Sequence, residues 1–187
     1  MVRKSSLLVA LLTVVAVAVP ASAGAAPAAT NSEGKLLPVG TLLQITNIGP
    51  VTVQTSLGVG RCETVVGTGE LTANTGSTVK GVQKGLGSTS ACTLGGKPIT
   101  ITDITIANLH SAVVGTGTGT ATFIAHLPGG IVCHFESPNV PISVTVGADT
   151  LKISNVDLKA TPAACEPGLI SGEITVEIDG GGAVLLD

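Results

Sequence analysis

Aromatic residues are almost absent from this chain, which has two Phe, no Tyr and no Trp among 187 residues. Proteins that bind single-stranded nucleic acids stack the bases on rows of aromatic side chains, and many sugar sites are built in a similar way. Two phenylalanines, Phe123 and Phe135, are too few for such a row. The composition therefore argues against nucleic acids and carbohydrates as partners.

Charged residues are also scarce, at 11% of the chain, and no block of basic residues occurs. The nine Lys and Arg include Arg3 and Lys4. A chain without these two keeps seven basic residues against twelve acidic ones, a formal net charge of −5. Such a chain is not steered toward nucleic acids or anionic membranes, so we expect neither as a partner.

Sequence patterns that usually carry catalysis or metal binding are missing as well. There is no G-x-S-x-G nucleophile motif and no pair of cysteines at zinc-site spacing. In a strand, His134 and Glu136 would share one face and Cys133 the other, with His126 a few residues before them. A His-Glu pair on one face could bind a metal or relay a proton. No third ligand stands at a fixed spacing, so an exposed pair beside a disulfide is the simpler interpretation.

We therefore predict a non-enzymatic protein with no catalytic, cofactor-binding or metal-ligating residues and no cofactor. The remaining histidine, His110, lies in a turn-like stretch and is interpreted as a solvated residue.

The first 23 residues have the three parts of a secretory signal peptide. Arg3 and Lys4 precede an apolar run over residues 7–19, and Ala21-Ser22-Ala23 is a typical cleavage pattern. The run is short for a membrane span and no stop-transfer charges follow it. The pattern predicts a secreted protein, extracellular or associated with the cell surface, with no transmembrane segment in the mature chain.

After the signal peptide, residues 24–35 are rich in Ala and Pro and show no periodicity, which predicts a flexible leader. Residues 36–187 then form a single domain by length.

Four cysteines remain in the mature chain, namely Cys62, Cys92, Cys133 and Cys165. An even number of cysteines in an exported chain predicts two disulfides, and four cysteines allow three pairings. We favour Cys62–Cys92 and Cys133–Cys165, because sequential pairs close one loop of about 30 residues in each half of the chain.

Apolar and polar residues alternate with the period of β-strands in several segments, including residues 51–54, 99–106, 151–158 and 174–178. Gly, Pro, Asn and Asp interrupt the chain about every 8–12 residues, which is typical of all-β domains. The sequence predicts an all-β fold, either an antiparallel β-sandwich or a partly closed β-barrel, with two disulfides.

The alternation slips by one residue at Thr102-Asp103 and again at Ser154-Asn155. Both slips fall in a repeated string, Ile-[Ser/Thr]-[Asp/Asn]-[Ile/Val], which also occurs once at residues 45–48. A single inserted residue with a short polar side chain predicts a β-bulge or a tight bend at each slip.

Cys62, Cys92, Cys165 and the strand-like Gly69-Glu70-Leu71-Thr72 carry a resemblance to small secreted β-rich proteins of actinobacteria, which implies no activity. The chain more distantly resembles the neocarzinostatin-type apoproteins, which are exported β-sandwiches with two disulfides and bind a chromophore. Their cysteine loops are short, whereas here the segments between paired cysteines run over residues 63–91 and 134–164. No binding residue is carried over from that family.

Two functions remain open at this point. The first is a secreted structural or interaction protein with an unknown protein partner. The alternative is a carrier that holds a small hydrophobic ligand in a cleft of a β-sandwich, because small Val, Ile and Leu side chains can leave the space between the two sheets unfilled.

Overall fold

A computed structural model describes residues 27–75, 78–113 and 115–186 of the chain. Within these ranges the regular structure consists of strands, which confirms the all-β prediction. The predicted signal peptide, residues 1–23, lies outside the described residues. The strands are β1 (Ala29–Thr30), β2 (Leu42–Asn47), β3 (Val51–Thr55), β4 (Gly58–Asn74), β5 (Val79–Leu94), β6 (Lys97–Pro98), β7 (Thr100–Val113), β8 (Thr116–Leu127), β9 (Ile131–Val144), β10 (Thr150–Thr161), β11 (Gly168–Ile178) and β12 (Leu185–Leu186).

Ten of these strands, β2 to β11, form one antiparallel sheet in the order β2-β4-β3-β11-β10-β9-β8-β7-β5-β6. The strands β2 and β3 follow each other along one line, since both pair with β4 on one side and with β11 on the other. Because β4 also pairs with β5, the sheet returns on itself. The sheet is therefore partly ring-like, in agreement with the partly closed barrel that the sequence allows, and we call it the barrel.

Side chains alternate between the interior and the outer surface of this barrel. In β9, Cys133, Phe135 and Ser137 are buried, whereas His134 and Glu136 are exposed. The inward side chains form two apolar clusters, one around Val140, Ile142 and Val176 and the other around Phe123, Phe135 and Leu158. Two neighbouring cores inside one closed sheet divide the barrel into two halves.

The two ends of the barrel differ in how they are finished. At one end the strands are joined by the short connections at 56–57, 95–96 and 128–130 and by the longer connection at 162–167. Both disulfides lie near this end, which we call the disulfide end. At the other end, β1 and β12 pair with each other as a separate two-stranded sheet, which we call the plug.

The plug changes the predicted start of the folded part. Ala29 and Thr30 belong to the segment 24–35 that composition assigns to a flexible leader, yet they pair with Leu186 and Leu185. Ala29 is fully buried. The fold thus begins before Leu36. Composition could not show this, because the partners of Ala29 and Thr30 lie at the far end of the sequence.

Both predicted bulges are present. The register shifts between Thr102 and Thr105 in β7 and between Ile153 and Val156 in β10. Asp103 and Asn155 have positive φ angles of 54° and 49°, a conformation that Asp and Asn adopt more readily than most residues. At the second bulge the Ser171 hydroxyl accepts a hydrogen bond of 2.8 Å from the Asn155 amide, which replaces a missing ladder bond.

A third bulge was not predicted. Asn108 in β7 also has a positive φ, of 53°, and the register shifts between Ala107 and His110. His110 is exposed but lies in a strand, opposite Thr118, rather than in the expected turn. The turn-like composition of residues 108–111 thus reflects a bulge within a continuous strand.

The predicted disulfide pairing is confirmed. Cys62 and Cys92 are direct cross-strand partners in β4 and β5. Cys133 in β9 is bonded to Cys165 in the connection between β10 and β11, with the two Cα atoms 5.6 Å apart. The second bond attaches the longest connection of the disulfide end to the barrel wall.

We expect the double variant Cys133→Ala/Cys165→Ala to lose about 3–4 kcal/mol of unfolding free energy, because the bond closes a loop of 32 residues in the unfolded chain. The loop closed by Cys62–Cys92 has a similar separation of 30 residues, so Cys62→Ala/Cys92→Ala should lose a similar amount. Urea unfolding followed by circular dichroism measures both. Unchanged unfolding midpoints in the double variants would contradict a stabilising role.

Candidate functional site

Small residues occupy many of the inward positions of the barrel. In β8 the successive inward residues Gly117, Gly119 and Ala121 line the interior at the plug end. Leu109 of the neighbouring strand β7 packs against Gly119, since a Cβ atom added to Gly119 would lie 2.9 Å from Leu109 Cδ2. Because these inward residues are small, side chains from opposite walls of the barrel do not have to meet at its axis, and space can remain between them.

The interior contains two apolar cavities. The first, in the plug half, has a volume of about 110 Å³, and the second, in the disulfide half, about 120 Å³. Aliphatic side chains dominate the first, including Leu43, Leu71, Leu109, Ile142, Leu151 and Val176. The walls of the second include Val53, Ile101, Ile104, Phe123, Phe135 and Ile170. An eight-stranded barrel has room for packed side chains or for one small ligand, and here the side chains leave space.

One layer of side chains separates the cavities. Five residues line both of them, and we call this layer the waist: Ile106, Ala121, Val140, Ile153 and Ile174. Four of the five are branched aliphatic residues, and Ala121 is the smallest. The waist therefore carries the least side-chain volume on the β8 side of the barrel.

The first cavity is covered by the plug. Ala29 and Val184, with exposures of 0% and 1%, line it together with Leu186. The side chain of Asn74, at the end of β4, holds the plug in place. Its Oδ1 accepts a hydrogen bond of 3.1 Å from the Ala29 amide, and its Nδ2 donates to the carbonyls of Ala29 at 2.7 Å and Leu37 at 2.9 Å.

The second cavity extends to the surface of the disulfide end. Leu57, Leu94 and Leu127 line it where the strands end, and we call these three residues the mouth. Leu57 lines the cavity and is also 54% exposed, so the cavity opens to solvent beside this side chain. Both disulfides border the same cavity through Cys62 and Cys133. The cavity thus opens at the end of the barrel that the disulfides restrain.

The interior offers few polar groups to a ligand. Polar residues such as Glu70, Thr105 and Glu166 contribute to the cavity walls, but the wall surface that faces the cavities is almost entirely apolar. A polar molecule placed inside would lose its hydrogen bonds to water without replacing them. The interior is therefore suited to an apolar molecule.

The residues that sequence considered for metal or proton chemistry lie outside the barrel. His134 and Glu136 are exposed on the outer face of β9, and Cys133 points inward to its disulfide. His126 is also exposed, and its Nε2 lies 3.3 Å from the hydroxyl of Thr102. In the described ranges no group of three or more His, Cys, Asp or Glu is placed to hold a metal ion.

A close ion pair lies on the outer wall near the mouth. Arg61 Nε is 2.6 Å from Glu63 Oε1, and both side chains are about half exposed. The hydrogen bond from Arg61 lowers the pKa of the Glu63 carboxyl, and the bond to Glu63 raises the pKa of Arg61. The pair therefore favours the charged form of Glu63, and this stabilisation is lost as the pH falls through the lowered pKa of Glu63.

In the described part of the chain, no helix is long and apolar enough to span a membrane. Comparisons of this chain with models of protein families, with curated proteins and with solved structures found no match. The candidate site is accordingly defined by its geometry alone. Sequence reasoning kept an unfilled apolar cleft as an alternative but did not assign it to particular residues, although the alternating Gly and Ala of β8 were a signal for its position.

We expect Asn74→Ala to loosen the plug, because it leaves the amide of the buried Ala29 without a hydrogen-bond acceptor. Each buried group left unpaired costs about 1–3 kcal/mol. Hydrogen exchange at Ala29 and Leu37 should become faster, while exchange in the middle of β9 should not change. The control is Asn139→Ala, which removes an exposed asparagine side chain. Equal protection of Ala29 in the wild type and in Asn74→Ala would show that Asn74 does not hold the plug.

We expect Arg61→Gln to raise the pKa of Glu63 toward its ordinary value, since the hydrogen bond from Arg61 is the largest cause of the lowering. A pH titration of the Glu63 carboxyl carbon by NMR measures this change. Lys35→Gln, which removes a distant exposed cation, serves as the control and should leave the titration of Glu63 unchanged. A midpoint that is the same with and without Arg61 would refute the assignment.

Proposed function

We propose that this protein is a secreted, non-enzymatic carrier that holds a small apolar molecule inside its barrel. Sequence alone favours a structural or interaction protein and keeps the carrier as the alternative. The interior reverses that order, since it contains two apolar cavities where a purely structural domain would have a filled core. This observation carries the proposal.

The size of the cavities supports this choice energetically. An unfilled cavity costs roughly 24 cal/mol for each cubic ångström, so cavities of about 110 and 120 Å³ cost roughly 2–3 kcal/mol each. Whole domains are stable by about 5–15 kcal/mol. Larger residues at positions such as Ala121 would fill this space. A bound apolar molecule would recover the lost contacts and offset this cost.

A carrier function is also consistent with the chemistry of the walls. Catalytic groups usually lie in a cleft with a perturbed pKa. The one resolved pKa shift of a carboxyl among the described residues belongs to Glu63, which is exposed and paired with Arg61 on the outer surface. The interior therefore supports binding rather than acid-base or nucleophilic chemistry.

Export from the cell fits the disulfides. Two disulfides involve all four cysteines, and such bonds persist in oxidising compartments outside the cytosol. Together with the predicted signal peptide, they support a protein that works outside the cell.

An interaction protein remains the second candidate because apolar residues are exposed at the disulfide end. Leu57 lies in the turn between β3 and β4 and Val59 follows it, whereas Ile131 and Val132 follow the turn between β8 and β9. These four side chains could contact another protein, with or without a ligand in the barrel.

The carrier proposal predicts that the ligand-free protein takes up benzene, since an engineered apolar cavity of about 150 Å³ does so. Titration with benzene, followed by methyl NMR, should shift the methyl signals of Ile101 and Ile170 in the second cavity. The methyl signals of Val39 and Val146, which are exposed, serve as the control.

Native mass spectrometry of protein purified from the producing culture should show a retained small molecule. A bare protein that also leaves all methyl signals unchanged with benzene would overturn the proposal.

A further inference from the structure

We propose that the ligand is an unbranched hydrocarbon chain, such as an acyl or alkyl chain, which enters at the mouth and crosses the waist. The far end of the chain would lie against the plug. This inference rests on the proposed carrier function and specifies the class of its ligand.

The size of the cavities is the first argument. Neither cavity alone, at about 110 and 120 Å³, reaches the roughly 300–1,000 Å³ of ordinary ligand pockets. A rigid ligand with several fused rings would have to fit into one of them. A narrow, flexible chain can instead use both cavities in succession, because they meet at one shared layer of side chains.

The composition of the waist is the second argument. Its residues are all aliphatic, so a hydrocarbon chain that crosses it meets no polar group. Ala121 leaves the most room in this layer, and the branched side chains around it need to move little for a chain one carbon wide. A ring system would have to displace several of them at once.

The difference between the two ends is the third argument and determines the direction of the chain. Paired backbone and the Asn74 side chain close the plug end, whereas Leu57 at the mouth is in contact with water. The inner walls would leave a polar head group without hydrogen bonds, which is unfavourable in an apolar interior. The head group therefore stays in water at the mouth, and the apolar tail enters. A fatty acid and a long-chain alcohol share this tail and differ in the head.

Titration with straight-chain alcohols, from hexanol through decanol to hexadecanol, tests the length of the site by calorimetry. Affinity should rise about fourfold with each added methylene, because each one leaves water for the apolar interior. The rise should continue beyond the chain length that fills the second cavity and stop when the tail reaches the plug. The matching carboxylic acids show whether a charged head changes affinity by a constant factor, as expected for a head group outside the barrel.

The variant Ala121→Leu tests passage through the waist. Short chains that fit within the second cavity should bind as they do to the wild type, whereas longer chains should gain no further affinity. The matched control is Ala112→Leu, the same substitution at an exposed position of β7 outside both cavities. If Ala121→Leu does not fold, Ala121→Val provides the smaller change. A decanol with a tert-butyl group at its far end tests the same step in the wild-type protein. Its bulky end should not pass the waist, so it should bind more weakly than decanol.

The outcomes separate this inference from the carrier function. Binding of benzene together with an affinity that stops rising at the length of the second cavity would overturn the chain proposal and leave the carrier function standing. Equal loss of all chain lengths in Ala121→Leu, with folding intact, would also overturn it. Failure to bind benzene, alcohols and acids alike would overturn both.

Discussion

Closure of the backbone ladder is the constraint on which the rest of this structure depends. Because β4 pairs with β2 and β3 on one side and with β5 on the other, the sheet encloses an interior. The ring has eight strand positions, since β2 and β3 share one and β6 and β7 both pair with β5. The width of the interior depends on this number more than on side-chain volume. The enclosing hydrogen bonds belong to the backbone. The wall can therefore stay intact while small side chains leave part of the interior empty, as an open sandwich held together by its core could not.

Side-chain amides maintain this ladder where the strands deviate from it. Between Gly81 and Gly87 the pairing of β5 with β7 is interrupted. There, Gln83 donates to the carbonyl of Ile104 and accepts from the amide of Ile106, both at 2.7 Å. Asn47 acts similarly at the junction of β2 and β3, where it accepts from the Val65 amide at 2.6 Å and donates to the Glu63 carbonyl at 2.8 Å. Each amide supplies a donor and an acceptor, as a peptide group does, and so keeps backbone groups paired where the ladder is interrupted.

Much of the fold could be predicted from sequence because its signals are local. Alternation over a few residues indicates strands, and a one-residue slip beside Asp103 or Asn155 indicates a bulge. The disulfide pairing followed from loop length. The plug and the cavities were harder to predict. The burial of Ala29 depends on residues near the other end of the chain. A glycine such as Gly119 can either leave space or admit a side chain such as Leu109, depending on the strand that becomes its neighbour.

The sequence by itself determined the strand content, the two disulfides and the chemistry of the interior, since each follows from residue type, spacing and alternation. Tertiary structure alone decided that β4 pairs with β5 so that the sheet returns on itself, that both termini of the described chain cover one end, and that two cavities meet at Ala121. These properties depend on which strands become neighbours and on how much side-chain volume the facing walls contribute together. Neither property can be read from a single segment of the sequence, because each depends on residues that are far apart in the chain.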